Sequence, residues 1–462
     1  MLLQRARQLT SKRSLYTAAA LSPRHCWGGA RQFWNGAATS PPPPATSEDG
    51  KVMMPLDETR KLLYAACRGI GYSAEDAAVM QECMMWAQIR DNNQGIIKVT
   101  SGGVNPSPTA GIPIVENDSP SGARVNGNHA MSMVVLHKGV TLAKQKALSN
   151  GCAVVGTYNT SQSMGAVGFY ASMLAEAGLV GIIMATSPEY VAPHGAKQPI
   201  FGTNPICCAV PTSRGLMLMD QATAAFAWFG LLEAKTAGRK IPNDIAWDKN
   251  GNQTDDPSEA LQGALRTFDR GYKSSNLAMM VELIAGARAI RPARNSARNS
   301  ARNSLTPIPL SAGPLVGGAH TNKLAAKNWG NLVIAIHPGM LGDADAFYKN
   351  AGEVLDRVRT AERLPGVSEM VIPGEKESTL AAQRLKDGAL PIEKNMLEEL
   401  RAMAAKFTGD YPAELAAGGS AAAVGGGQEE ILAKLLMKLD NLEQQVGATA
   451  TAQQKLEAML RK

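Results

Sequence analysis

The chain has 462 residues, 45% of them hydrophobic and 19% charged, with a formal charge of +7. That length exceeds one ordinary core, so about two or three lobes plus tails are expected, and no apolar run of roughly eighteen residues is present to span a bilayer. The positive charge is local. Arg5, Arg7, Lys12, Arg13, Arg24 and Arg31 precede the first acid, Glu48, and without them 41 basic residues face 40 acidic ones, so a nucleic-acid surface has no support.

In chain order, residues 1–47 contain no Asp or Glu and end in the run Pro41 to Pro44. A positive, acid-free leader is what a mitochondrial presequence requires, because membrane potential draws cations inward; the expected location is the matrix. The body is expected over residues 48–410. It opens with a helix carrying Leu62, Leu63, Ala66 and Ile70 on one face, then a second helix from Ala74 to Ile89 behind Ser73, with Asp76 three residues on. Further along, CAVVGTY and LVGIIMAT are short, β-branched runs. They alternate with helical stretches around Val134 to Leu148 and Ala166 to Ala177, which argues for an α/β layered fold.

The four-residue repeat ARNSARNSARNS lies within residues 292–307 between Pro292 and Pro307 and has no apolar face, so it reads as a disordered insert. Residues 411–427 read as a Gly/Ala linker. In residues 428–462 the spacing of Leu432, Leu435, Leu439, Leu442 and Val446 predicts an amphipathic, coiled-coil-like helix. A lone helix cannot bury such a stripe, so it is expected to dock on a protein partner or on its own body.

The six cysteines, Cys26, Cys67, Cys83, Cys152, Cys207 and Cys208, form no Cys-x-x-Cys pair, which suits a reducing compartment. The sequence has no G-x-G-x-x-G opening a helix after a strand, no Walker A motif and no metal-ligand spacing. Four polar, glycine-bearing turns stand out instead: RDNNQGIIK (90–98), TYNTSQSMG (157–165), APHG (192–195) and GTNPI (202–206). Backbone amides in such turns can approach a ligand closely, although each alone reads equally as an Asn/Gly turn.

With MDQAT (219–223), GYKSSNLAMMVELIAGA (271–287) and VIPGEKE (371–377), these turns resemble, in order and spacing, the motifs of the type-2 malate/L-lactate dehydrogenase family. The resemblance covers roughly residues 50 to 410. It implies an α/β fold with a non-Rossmann mixed central sheet flanked by helices, to which the residues' own patterns add a small N-terminal helical part and the C-terminal tail helix. It also implies a homodimer that uses NAD or NADP on a small 2-hydroxy or 2-oxo acid.

By the same resemblance, Asn93-Gln94-Gly95-Ile96-Ile97-Lys98 stands where the family carries Ser-His-Gly-x-x-Arg. Gln94 cannot take up a proton near neutrality, while Lys98 can attract a carboxylate as a point charge. A second family histidine is also absent, with Gln162 nearby. Asp220 is retained and serves either as the base itself or as a partner for a neighbouring amide. His194 in APHG either replaces the lost acid/base or is a loop histidine bonded to backbone. Cofactor contacts are implied for Asn159, Thr160, Ser161, Gly202, Thr203, Asn204 and Lys273, the last alternatively forming a plain salt bridge. No metal is implied. The loss of both histidines keeps a second function open: a catalytically reduced structural subunit of a mitochondrial assembly.

Overall fold

A short strand, β1 (Lys51–Pro55), leads into α1 (Leu56–Gly69) and α2 (Ala74–Gln88). The structure, a computed structural model, describes residues 50–236, 238–286 and 329–416. The leader 1–47, the repeat insert 292–307, linker residues 417–427 and the tail helix 428–462 lie outside the described residues. Leu63 and Ala66 are buried on the expected face of α1, with Leu62 packed beside them. Ser73 Oγ accepts a hydrogen bond from Asp76 N at 3.0 Å and starts α2, a cap worth about 1 kcal/mol.

After the short α3 (Ile97–Thr100) come β2 (Ile114–Ser119), β3 (Gly122–Asn126), α4 (Ser132–Asn150), β4 (Cys152–Tyr158), α5 (Val167–Ala175) and β5 (Val180–Ala185). A second lobe is entered after β5 and is interrupted by the hairpin of β6 (Ile206–Thr212) and β7 (Gly215–Gln221). It continues through α6 (Trp228–Thr236), β8 (Ala246–Trp247), α7 (Pro257–Gln262) and β9 (Ala264–Leu265). Then follow α8 (Tyr272–Ala285), β10 (Asn331–Ile336), α9 (Ala344–Arg359), α10 (Glu375–Asp387), β11 (Ala389–Glu393), α11 (Lys394–Ala404) and α12 (Ala413–Ala416).

The central sheet has seven strands in the order β2-β3-β4-β10-β5-β6-β7. Only β3 and β4, joined through α4, run parallel; every other neighbouring pair is antiparallel. The α/β mixed sheet implied by the resemblance is therefore present. Alternation in its strands sorts side chains to two faces. Ala153, Val155, Ile183, Cys207, Val333 and Ala335 point into the main core under α2, α4 and α5. Leu332, Met184 and Ile206 meet Val281 and Ala285 of α8 on the other face.

The second lobe has its own small core, built on Val191, Phe201, Leu231, Ile245 and Leu265, with Tyr190 and Trp228 stacked at 3.5 Å between ring centroids. β1 pairs antiparallel with β11. The last described residues are packed as well: Leu415 is buried, and Tyr411 Oη donates to Gln81 Oε1 at 3.1 Å.

Candidate active site

Strand register brings three of the motif turns to one end of the sheet. Thr157 of β4 and Ala185 of β5 both stand opposite Asn331, the first residue of β10. Ile206, which opens β6, stands opposite Met184 and Gln221. The turn after Thr157, the GTNPI turn before Ile206 and the stretch after Gln221 therefore leave the sheet side by side.

Cross-links hold them there. Asn331 Nδ2 donates to Thr157 Oγ1 at 2.9 Å, and Trp329 Nε1 donates to Gln162 O at 2.7 Å. Thr203 N donates to Ser187 Oγ at 2.8 Å, while Thr223 N donates to Thr203 O at 2.8 Å. The VIPGEKE stretch docks on β7, with Leu218 N donating to Pro373 O at 3.1 Å. Trp329 and Asn331 were not singled out from the sequence, since their part depends on β10 entering between two distant strands.

The implied cofactor residues divide by environment. Asn159, Gln162 and Asn204 have left-handed φ values of 53°, 63° and 37°; non-glycine residues avoid that region, and such strain gathers at functional sites. Asn159 Nδ2 donates to Asn126 Oδ1 at 2.9 Å. Thr160 and Ser161 are buried, their hydroxyls donating to Trp329 O at 3.2 Å and Ala130 O at 3.3 Å. Gly202 sits tightly against Ser187. Asn204 is fully buried and pins its turn to α8, with Nδ2 donating to Ala278 O at 3.1 Å and to Glu282 Oε2 at 2.9 Å. Its Oδ1, like Asn331 Oδ1, is a buried acceptor with no hydrogen-bond partner. Lys273, in the first turn of α8, is exposed and forms no ion pair among the described residues. Just before that helix, Asp269 accepts from Gly271 N at 2.7 Å and from Ser274 Oγ.

Of the catalytic candidates, Gln94 lies in the turn after α2, where its Nε2 donates to Asn93 Oδ1 at 2.9 Å. Gln88 Oε1 holds this loop by accepting from Ile96 N at 3.0 Å. Lys98, in α3, is 2% exposed, and its Nζ sits 3.2 Å above the centroid of the Phe229 ring in α6. Burial drives its amine well below the usual lysine value, with the neighbouring Cys83 opposing the shift.

Asp220, near the end of β7, accepts from Gly168 N at 2.7 Å through Oδ2. Crowding by protein atoms raises its carboxyl to about 6, against the lowering effect of the Gly168 amide. The residue is nonetheless exposed to solvent on its outer side, and water there weakens the shift while leaving its upward direction. His194 is exposed in the second lobe, its N donating to Ser275 Oγ at 3.0 Å and its Nδ1 lying 3.3 Å from Arg270 O.

Lys98 and Asp220 approach the same helix start from two sides. The Lys98 stem lies beside Gly103, whose carbonyl accepts from Ser163 N at 3.1 Å just before α5, while Asp220 bonds Gly168 within the first turn of α5. No hydrogen bond or ion pair joins Gln94, Lys98, Asp220 and His194 to one another among the described residues. Chemically, the arrangement offers a carboxyl able to titrate near neutrality and a desolvated amine. Among the described residues there is no cluster of three or more His, Cys, Asp or Glu side chains able to hold a metal, and no helix is long and apolar enough to cross a membrane.

Comparison with known proteins agrees with this architecture. The family described as malate/L-lactate dehydrogenase matches residues 54–401. A malate/(S)-sulfolactate dehydrogenase of Methanothermus fervidus is 31% identical over 360 residues, covering 75% of this chain and 96% of the relative. A ureidoglycolate dehydrogenase (NAD(+)) of Escherichia coli O157:H7 is 27% identical over 327 residues, covering 69% and 86%. The solved sulfolactate dehydrogenase from Methanocaldococcus jannaschii is similar in fold, with a TM-score of 0.62 and 26% identity over 80% of this chain and 99% of that one. The chain belongs to the malate/L-lactate dehydrogenase family of oxidoreductases.

Proposed function

We propose that the protein transfers hydride between NAD or NADP and a small 2-hydroxy or 2-oxo acid such as malate or lactate. The observation that carries this reading is the arrival of three motif turns at one end of the sheet, where β4, β5, β6 and β7 open together. The residues there fit a nicotinamide cofactor in three respects. Left-handed backbone at Asn159, Gln162 and Asn204 bares peptide groups, Asn204 Oδ1 and Asn331 Oδ1 are acceptors in need of donors, and Lys273 is an exposed cation. Lys273 lies in the first turn of α8, where its exposed side chain can meet a cofactor phosphate. When bound, the cofactor supplies or accepts the hydride; the chain orients the acid and handles its proton.

The names of the relatives, among them malate, sulfolactate and ureidoglycolate dehydrogenases, support a hydroxy-acid substrate class. As part of the same proposal, residues 1–47 direct import into the mitochondrial matrix, the body works as a homodimer, and residues 428–462 engage a protein partner. The test is a fluorescence titration with NADH and NADPH, followed by a scan of 2-oxo acids for cofactor oxidation. Binding with turnover is the expected result.

One observation favours the second reading, a catalytically reduced structural subunit. Asp220 is bonded to a helix amide, and among the described residues no histidine hydrogen-bonds to it. Cofactor binding without turnover on any 2-oxo acid would select that reading.

A further inference from the structure

Neither Gln94 nor Gln162 can exchange a proton near neutrality, so the oxidoreductase reading needs another group for that step. Lys98 is placed for it. The residue is 2% exposed, no carboxylate pairs with its Nζ among the described residues, and the face of Phe229 lies 3.2 Å away. Its Cδ is 3.5 Å from where a Cβ on Gly103 would stand, beneath the turn that Ser163 ties to Gly103 O at 3.1 Å. Lys98 is thus packed against Phe229, in the segment following Gln221, and beside Gly103, whose carbonyl is bonded to Ser163 of the 157–165 turn.

We propose that Lys98 is the proton donor and acceptor of the reaction, which rests on the oxidoreductase reading above. The groups around it are few: Cys83 of α2 is its titratable neighbour, with Tyr170 of α5 and Glu82 of α2 acting on that thiol in turn, and α1 and α11 also pack on α3. Of these only the Cys83 thiol acts on the Lys98 charge. Desolvation makes an ammonium give up its proton more readily than a solvated one, while the Phe229 ring face favours the cation and opposes that loss only in part. An arriving substrate carboxylate favours the charged amine, so the proton is present when it is needed.

In reduction, the carbonyl carbon gains a hydride from the reduced nicotinamide and the C=O π pair moves to oxygen. That oxygen then takes a proton from the Lys98 ammonium, leaving a hydroxyl and a neutral amine that water reprotonates. In oxidation, the neutral amine removes the hydroxyl proton as the hydride leaves. Atoms and electrons balance with the cofactor as the sole redox partner.

Lys98→Arg separates this step from carboxylate binding. Arginine keeps the cation, as the family does at this position, but holds its proton at working pH. The expected result is a kcat reduced at least about 100-fold, with NADH binding intact and KM within a few-fold of wild type. A kcat equal to or above wild type would make Lys98 a carboxylate clamp and overturn the proposal. A second readout needs no turnover. Because the folded amine is depressed below its unfolded value, the unfolded chain binds more protons there, and wild-type stability falls as pH is lowered. The Tm gap between Lys98→Met and wild type should therefore widen in favour of methionine from pH 9 to pH 6. A gap independent of pH would show a lysine charged throughout and equally overturn the proposal. Wild type that binds neither NADH nor NADPH would instead defeat the oxidoreductase reading, and this step with it.

Discussion

Replacing Gly168 by alanine probes the contact between the Asp-x-Ala-Thr strand and the helix that follows the 157–165 turn. A Cβ at Gly168 would stand 2.7 Å from Trp86 Cη2, 2.9 Å from Asp220 Oδ2 and 3.4 Å from Leu218 Cδ2. Trp86 has little freedom to retreat, because the Arg90 guanidinium lies 4.0 Å above its ring and Phe169 meets its edge at 6.4 Å. Overpacking of this kind costs about 1–3 kcal/mol. Displacing the Asp220 carboxylate forfeits a hydrogen bond to a charged group worth about 1.5–3 kcal/mol. The two losses share atoms and do not add, and alanine's better helix propensity offsets part of them, so the net expectation is roughly 2–4 kcal/mol. Urea unfolding measures it, as a lower midpoint at unchanged m-value. Trp86→Phe in the Gly168→Ala background removes the nearest clashing atoms and should recover about 1 kcal/mol relative to the same change in wild type. A Gly168→Ala protein within about 0.5 kcal/mol of wild type, or a double-mutant cycle showing no recovery, would refute the close contact.

Asp220→Asn tests the crowded carboxyl. With the folded group raised to about 6 from 3.8, the folded chain holds more protons than the unfolded one between those values, so this residue's contribution to stability falls as pH rises through that window. The Tm difference between Asp220→Asn and wild type should grow in favour of asparagine from pH 4 to pH 6 and then level off; a flat difference would contradict the crowding. Asn204→Ala removes the tie between the GTNPI turn and α8 and is expected to destabilise by about 2–4 kcal/mol, through a cavity and the loss of the buried bonds to Ala278 O and Glu282 Oε2. Chemical denaturation decides this, and a loss below about 1 kcal/mol would show that the turn is held by other contacts. His194→Ala should leave kcat within about twofold of wild type, because an exposed ring near one backbone carbonyl has little to contribute to chemistry; a steady-state assay showing a large loss would return His194 to the reaction.

The opening helices were legible because their signals are local: an apolar face at helical spacing in α1 and a hydroxyl three residues before an amide at the start of α2. CAVVGTY and LVGIIMAT were legible as strands for the same reason. Their neighbour was not. NLVIAI enters between them as β10, antiparallel to both, and a strand's own pattern says which face is buried but not which strand it joins. The β1–β11 pair is hidden likewise, its partners separated by most of the body.

The site follows the same division. Motif order revealed which turns matter, while their meeting at one end of the sheet depends on register. The direction of a side chain is a further step: Asn204 stands in a motif suited to a ligand, yet its amide turns inward to α8. Asp220 shows why such alternatives need coordinates. A free base and an amide-bonded carboxylate looked like competing roles, but one oxygen bonds the Gly168 amide while crowding lifts the carboxyl to about 6. A group tied down by one oxygen and able to titrate near neutrality fills both descriptions at once. The role as a base becomes catalytic only if the proton that carboxyl holds lies within reach of the substrate oxygen; with Lys98 as the proton carrier, Asp220→Asn should lower kcat far less than Lys98→Arg, and the reverse order would move the step to Asp220.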